Sequence, residues 1–304
     1  MPELPEVETI KLELSHLIKD KKIKSVTLNL AKQVKGDRQK FLKLITGAKI
    51  KNISRRAKTL IFELSNIPHP HPLLIKERGT NGAKKYYLVF HLKMTGQLIY
   101  RGKSGKLIGG GHPIKQDLKE LPNKYSHVIF NFNDGTRLFF NDQRQFGWVK
   151  LVDETELKKM DNDYGPEPLS KEFNLKYFEK YLAQRNTAIK PLLMEQKFIA
   201  GIGNIYAAEA CFCAGLNPTL SAKKIKLAVV KKLYQCIQNI LKLAIKKKGT
   251  SADNYVDAFG REGQMINFLK VYGGAGEKCY RCKNILHEIR QGSRATVYCP
   301  KCQK

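Results

Sequence analysis

The residues with the clearest capacity for chemistry stand at the two ends of the chain. Proline at position 2 is small enough for Met1 to be removed, which would expose a secondary amine. An α-amino group titrates near ~7.7 to 8.0, well below lysine, and so is a ready nucleophile near neutral pH. Attack on a sugar or carbonyl carbon gives an iminium that draws electrons from the adjacent carbon, an electron sink suited to elimination. Glu3 and Glu6 lie close in sequence and can act as general acid or base. A helix following directly would place its positive end beside the amine and disfavour its cationic form. The competing reading is that Pro5, Glu6 and Glu8 simply start a helix well. At the other end, Cys279-x2-Cys282 and Cys299-x2-Cys302 can set four thiolates tetrahedrally around one structural Zn²⁺ with no open position. Two disulfides are the alternative, disfavoured because Cys211, Cys213 and Cys236 read as free thiols of a reducing compartment. Arg290 and Arg294, between the cysteine pairs, suit phosphate contact. Gly201-Ile-Gly203 opens a helix, and free amides at a helix start bind phosphate, although the pattern alone is weak.

These groups need elements to hold them. The 304 residues suffice for about two domains at ~100 to 200 residues each. Subtracting 27 acidic from 55 basic residues leaves +28, a surplus that repels itself unless an anionic partner covers it. Nucleic acid is the first candidate and an anionic membrane surface the second. No apolar run approaches the ~18 to 20 residues of a membrane span, and MPELPEVET is neither a signal nor a transit peptide, so a cytoplasmic, non-secreted protein is expected. Leu4 to Lys19 reads as a helix with an apolar stripe of Val7, Ile10, Leu14, Leu17 and Ile18. From Lys22 to Val152 short β-rich runs predominate: 23–30, 48–53, 59–64, 86–92, 128–132 and 137–140, which suggests a sandwich or barrel. Residues 66–85 and 102–124 read as long loops. Residues 153–168, acidic and then Gly165-Pro-Glu-Pro168, read as a linker. Helices are expected over 173–182, 189–194, 204–214 and 222–248. The nine lysines of that last stretch are explained by a solvated face.

Taken together, several ordered motifs resemble the formamidopyrimidine-DNA glycosylase and endonuclease VIII family of base-excision repair enzymes. They are Pro2-Glu-Leu-Pro-Glu-Val-Glu-Thr9, Arg56-Ala-Lys-Thr-Leu60, His91-Leu-Lys-Met-Thr-Gly96, Gly165-Pro-Glu-Pro-Leu169, Ala188-Ile-Lys-Pro191, Gly201-Ile-Gly-Asn-Ile-Tyr206 and Tyr298-Cys-Pro-Lys-Cys-Gln303. Leu4 is similar to the formamidopyrimidine branch, where the endonuclease VIII branch has glycine. The resemblance implies an α+β multidomain fold. It comprises an N-terminal β-sandwich with a leading helix (1–152), a linker (153–168), a helical helix-two-turn-helix domain (169–268) and a C-terminal zinc ribbon (269–304).

It also implies a bifunctional glycosylase and AP lyase on damaged double-stranded DNA, working as a monomer with no small-molecule cofactor. Pro2 would attack C1′ of a flipped nucleoside while Glu3 protonates the sugar, with β,δ-elimination following; Glu6, Lys58 and Arg294 complete the implied catalytic set. DNA contacts would come from Tyr125, Arg185, Lys190 and Asn204, and from Met94, Arg144 and Phe146, which fill the void left by the flipped base. Arg144 would read the orphaned cytosine. Oxidised purines opposite C are the expected substrates. The alternatives are oxidised pyrimidines, a non-catalytic zinc-ribbon DNA-binding protein, or an RNA-binding one that leaves the N-terminus unexplained. Asp142-Gln-Arg-Gln-Phe-Gly147 lacks a proline and an arginine found in the family, which predicts a looser loop. Tyr125 stands where the family has histidine, with His127 two residues on. Thr250 to Gln264 falls where the family caps the extruded base.

Overall fold

A computed structural model describes residues 1–67, 84–105, 107–111, 121–250 and 263–304. Most of the loop expected at 66–85, and most of the base-capping segment, lie outside the described residues. The chain forms two compact units: the first takes Met1–Pro2 and Glu6–Asp161, and the second takes Glu3–Pro5, residues 162–250 and residues 264–304.

In the first unit, α1 (Leu4–Ile18) has the expected stripe, with Val7, Ile10, Leu14 and Ile18 almost fully buried. Two five-stranded sheets share one core with this helix. One has the order β1-β8-β9-β6-β7, and the other β2-β10-β5-β4-β3. Their strands are β1 (Ile23–Leu28), β2 (Val34–Lys35), β3 (Lys49–Arg56), β4 (Thr59–Ser65), β5 (Tyr86–His91), β6 (Gly96–Arg101), β7 (Leu107–Gly111), β8 (Ser126–Phe132), β9 (Arg137–Asp142) and β10 (Trp148–Asp153). Alternation sets the faces. Leu60, Phe62 and Leu64 of β4 enter the shared core, whereas Ile61 points outward and packs with Val89 and Val152.

Two expectations are corrected here. Residues 102–124 are not loop throughout, because β7 pairs with β6. Gly110 in that strand is required by packing: a Cβ there would lie 2.5 Å from Ile10 Cγ1 of α1. The linker segment begins with α3 (Glu154–Asp161), whose Leu157 and Met160 cover the outward face of β4, β5 and β10. A further helix, α2 (Arg38–Ile45), starts at the N-cap Asp37, whose carboxylate accepts from Lys40 N–H at 3.0 Å.

The second unit is helical: α4 (Leu175–Ala183), α5 (Ile189–Leu193), α6 (Asn204–Ala214) and α7 (Leu227–Lys246). Val230, Leu233, Ile237, Leu241 and Ala244 give α7 a buried face at helical spacing. Packing of α6 on α7 brings Cys213 and Cys236 to a Cα separation of 5.9 Å, and the two form a disulfide, so only Cys211 of the expected three free thiols is free. The buried Glu209 of α6 accepts the backbone N–H groups of Lys270, Val271 and Tyr272, which fixes the segment leading to the ribbon. The ribbon is a hairpin of β11 (His287–Gln291) and β12 (Arg294–Tyr298), closed by the two-residue turn Gly292–Ser293. Among the described residues, no helix is long and apolar enough to cross a membrane.

Candidate functional site

In the first unit, strand register gathers the expected DNA-facing residues at one end of the two sheets. Thr59 pairs with His91, His91 with Trp148, and Gly96 with Asp142. The β3–β4, β5–β6 and β9–β10 connections therefore emerge together, and they carry Lys58, Met94, and Arg144 with Phe146. Met94 and Phe146 are exposed apolar side chains at 38% and 56%. The Arg144 guanidinium lies 5.0 Å from the Phe146 ring centroid, within cation–π range. Lys58 is buried at the tip of a two-residue turn.

Each connection contains a non-glycine residue in the left-handed region: Ala57 (φ 53°), Lys93 (φ 52°) and Gln145 (φ 58°). Such conformations cost about 1–3 kcal/mol and persist only where the surroundings impose them. The loop after β9 is held by hydrogen bonds. Asp142, fully buried, accepts Thr95 Oγ1–H at 2.5 Å and Gly147 N–H at 2.6 Å. Its own N–H donates to Tyr125 O at 3.1 Å, and its carbonyl contacts His127 Nε2 at 2.7 Å. Tyr125 thus sits at the base of this loop, and His127 is a buried support.

His91, at the same end, is pushed down to about 3 by burial and by the charges of Lys93 and Lys58, so it is neutral. Its Nδ1 accepts Lys93 N–H at 3.0 Å, which leaves the proton on Nε2. Glu6 is buried on α1, as is Pro2 ahead of it. With Met1 attached, the Pro2 nitrogen is an amide and not a nucleophile.

In the second unit the Gly-x-Gly turn does something other than offer free amides to phosphate. Gly203 N–H and Ile205 N–H, at the start of α6, donate to the Glu3 carboxylate at 2.7 and 2.9 Å. Gly203 is obligatory, since a Cβ would lie 2.4 Å from Glu3 Cδ; Gly201, at φ 89°, would meet Leu4 Cβ at 2.7 Å. The helix start is thus a cradle for Glu3.

Lys190 is also placed differently from an exposed phosphate contact. It is 1% exposed, and its Nζ donates to Asn204 Oδ1 at 2.6 Å and Thr296 Oγ1 at 2.7 Å. Burial pushes its pKa down to about 8, with Cys211 and Glu3 partly opposing. Asn204 Nδ2 donates to Ala295 O at 3.2 Å, so Lys190 and Asn204 together anchor β12, at whose start Arg294 is exposed. Arg185 is exposed, lies over the Tyr181 ring at 4.6 Å and donates to its hydroxyl.

The Sγ atoms of Cys279, Cys282, Cys299 and Cys302 all lie within 4.8 Å of one another, with Cys282–Cys299 at 3.5 Å and Cys279–Cys302 at 4.0 Å. A tetrahedral Zn²⁺ with bonds of about 2.3 Å requires sulfurs roughly 3.8 Å apart, whereas a disulfide requires about 2.05 Å. The four thiols fit a structural zinc ion.

Residues 1–149 match the formamidopyrimidine-DNA glycosylase N-terminal domain, residues 164–255 the H2TH domain of the same enzymes, and residues 276–304 the zinc finger found in FPG and IleRS. The three together define a β-sandwich, H2TH and zinc-finger protein. Formamidopyrimidine-DNA glycosylase of Pelotomaculum thermopropionicum is 35% identical, over 100% of this chain and 99% of that protein. The complex of a Lactococcus lactis FPG mutant with Fapy-dG DNA superposes with a TM-score of 0.83 at 31% identity, over 100% of both chains. The L. lactis Fpg complex with abasic-site DNA gives 0.83 at 31% over 99% of both. The chain belongs to the formamidopyrimidine-DNA glycosylase family.

The sequence reading did not single out Thr95, Asp142, His91 or Thr296. Thr95, His91 and Asp142 lie inside quoted motifs. Only pairing across strands, however, reveals what they hold.

Proposed function

We propose that this protein is a base-excision repair DNA glycosylase and AP lyase that removes oxidised purines, 8-oxoguanine and formamidopyrimidines, opposite cytosine. The observation that carries the reading is the placement of Lys58, Met94, Arg144 and Phe146 at one end of the sandwich, in a chain that also carries Pro2 and the amide-held Glu3. After loss of Met1, the Pro2 amine attacks C1′ of the extruded nucleoside. Glu3, oriented by the two amides, takes the proton that the attacking secondary amine sheds and passes it to the ring oxygen of the opening sugar, and the base departs with a proton from solvent. The resulting iminium acidifies the neighbouring C2′, so β- and then δ-elimination cut the strand on both sides. Flipping is required because C1′ is inaccessible to the amine within the stack. Met94 and Phe146 fill the vacated space, while the Arg144 fork addresses the orphaned cytosine. Arg294 grips phosphate beside the lesion, Tyr125, Arg185 and Asn204 line the DNA path, and Glu6 and Lys58 assist the proton transfers. Lys190 supports Asn204 from below. The zinc ion, held by the four cysteines, shapes the ribbon and takes no part in the chemistry. The enzyme acts as a monomer.

Borohydride trapping tests this on duplexes carrying 8-oxoguanine opposite C, an oxidised pyrimidine, an abasic site or no lesion, with protein verified to begin at Pro2. The expected adduct is strongest on 8-oxoguanine. Strongest trapping on the pyrimidine would move the specificity, and no adduct on the abasic duplex would overturn the amine mechanism.

A further inference from the structure

One hydroxyl ties the two connections that carry the void-filling residues. Thr95 Oγ1 donates to Asp142 Oδ1 at 2.5 Å and accepts Arg144 N–H at 2.9 Å. A hydroxyl has one proton, here used on the carboxylate, and lone pairs to receive the amide. Asp142 in turn clamps the far end of its loop through Gly147 N–H at 2.6 Å. Thr95 follows Met94 directly. Arg144 and Phe146 flank the left-handed Gln145, so a single hydrogen-bonded unit fixes the backbone beside all three exposed side chains. Neighbouring strands alone would not impose this. The pairings end at Gly96 on β6 and Trp148 on β10, leaving residues 92–95 and 143–147 to be registered by other means.

We propose that Thr95 is a positioning residue for opposite-base recognition. Its hydroxyl holds the Met94 turn and the Arg144 backbone in fixed register, so that the wedge and the arginine fork enter the duplex as one body. The inference rests on the function proposed above. Without the hydroxyl the fork keeps its chemistry but loses the fixed origin from which it measures the partner base. Discrimination falls more than turnover on the preferred pair.

The test compares T95V, nearly the same shape without the hydroxyl, with T95S, which keeps it, using zinc-loaded protein that begins at Pro2. The readout is the ratio of kcat/KM for 8-oxoguanine opposite C to that opposite A, in the wild-type and R144A backgrounds. T95V is expected to lower the ratio about tenfold, in line with the coupling of side chains that share a hydrogen-bond network. T95S should stay within about twofold, and the T95V effect should vanish when Arg144 is already alanine. T95A gives a second hydroxyl-free variant should valine disturb folding. An unchanged ratio in T95V and T95A, equal losses in T95S and T95V, or the same loss with and without Arg144 would each overturn the proposal. Absence of a trapped adduct with wild-type protein on abasic DNA would instead mark failure of the underlying function.

Discussion

Replacing Glu3 by glutamine separates two roles that one carboxylate combines. The side chain is 3% exposed and accepts two short backbone hydrogen bonds at the first turn of α6. Glutamine keeps the shape but turns one acceptor oxygen into an NH₂ group that faces an N–H. One charge-assisted hydrogen bond is lost, worth about 1.5–3 kcal/mol, together with about 0.3–1 kcal/mol of charge–helix interaction. The sum is roughly 2–4 kcal/mol. At about 2–4 °C per kcal/mol, the melting temperature of the helical unit should fall by roughly 5–15 °C. Thermal unfolding followed by far-ultraviolet circular dichroism at neutral pH reads this directly. Gly203→Ala provides the complementary perturbation, since its Cβ displaces the carboxylate but leaves its proton chemistry intact. Both variants should melt early, and both should excise slowly. An E3Q protein melting within about 2 °C of wild type would refute the cradle as an energetic contributor, and its loss of activity would then be chemical alone.

Pro2→Gly should weaken strand cleavage far more than duplex binding, measured by single-turnover cleavage and gel-shift titration; equal losses would count against the amine. Gly147→Ala drives a Cβ to 2.9 Å from Phe140 Cζ and 3.1 Å from His91 O, and should cost about 1–3 kcal/mol in urea unfolding. Lys190 has a folded pKa near 8 against 10.5 unfolded, so both states hold its proton below pH 8 and the unfolded chain holds more of it above. Wild-type stability relative to K190M should therefore rise between pH 8 and 10.5. Removing zinc with a chelator should unfold the ribbon and abolish its ordered β11–β12 amide protection in hydrogen exchange, with duplex affinity lost in parallel.

Legibility in the sequence followed the range of the interactions concerned. Helix α6 was readable to its ends because Gly203 and Gly215 punctuate it locally, the latter at φ 72°. The four ribbon cysteines were readable because their spacing encodes their geometry. By contrast, α2 was missed although Gly36-Asp37 is a fair start signal, because its apolar residues cluster as Phe41-Leu-Lys-Leu-Ile45. Strand β7 was hidden by its glycines, of which Gly110 is required by Ile10, 100 residues earlier. The Cys213–Cys236 disulfide depends on how α6 meets α7, which no spacing rule encodes. In the candidate site, the residues expected to touch DNA carried recognisable motifs. The residues that hold them, Asp142, Thr95 and Thr296, acquire their roles only when strands from distant positions are paired.

On the proposed function, the three left-handed residues beside Lys58, Met94 and Arg144 bear on the work of opening DNA. Unstacking a step costs a few kcal/mol, and whatever pushes into the stack feels that load in return. Glycine at Ala57, Lys93 or Gln145 would relax the backbone in the free protein, yet it would also let the turn yield under load. With side chains in place, the accessible backbone basin is narrow and each turn is stiffer than its glycine counterpart. On the proposed function, deflection would then fall on the base pair and not on the protein, and a lesion that weakens its own stacking would give way first.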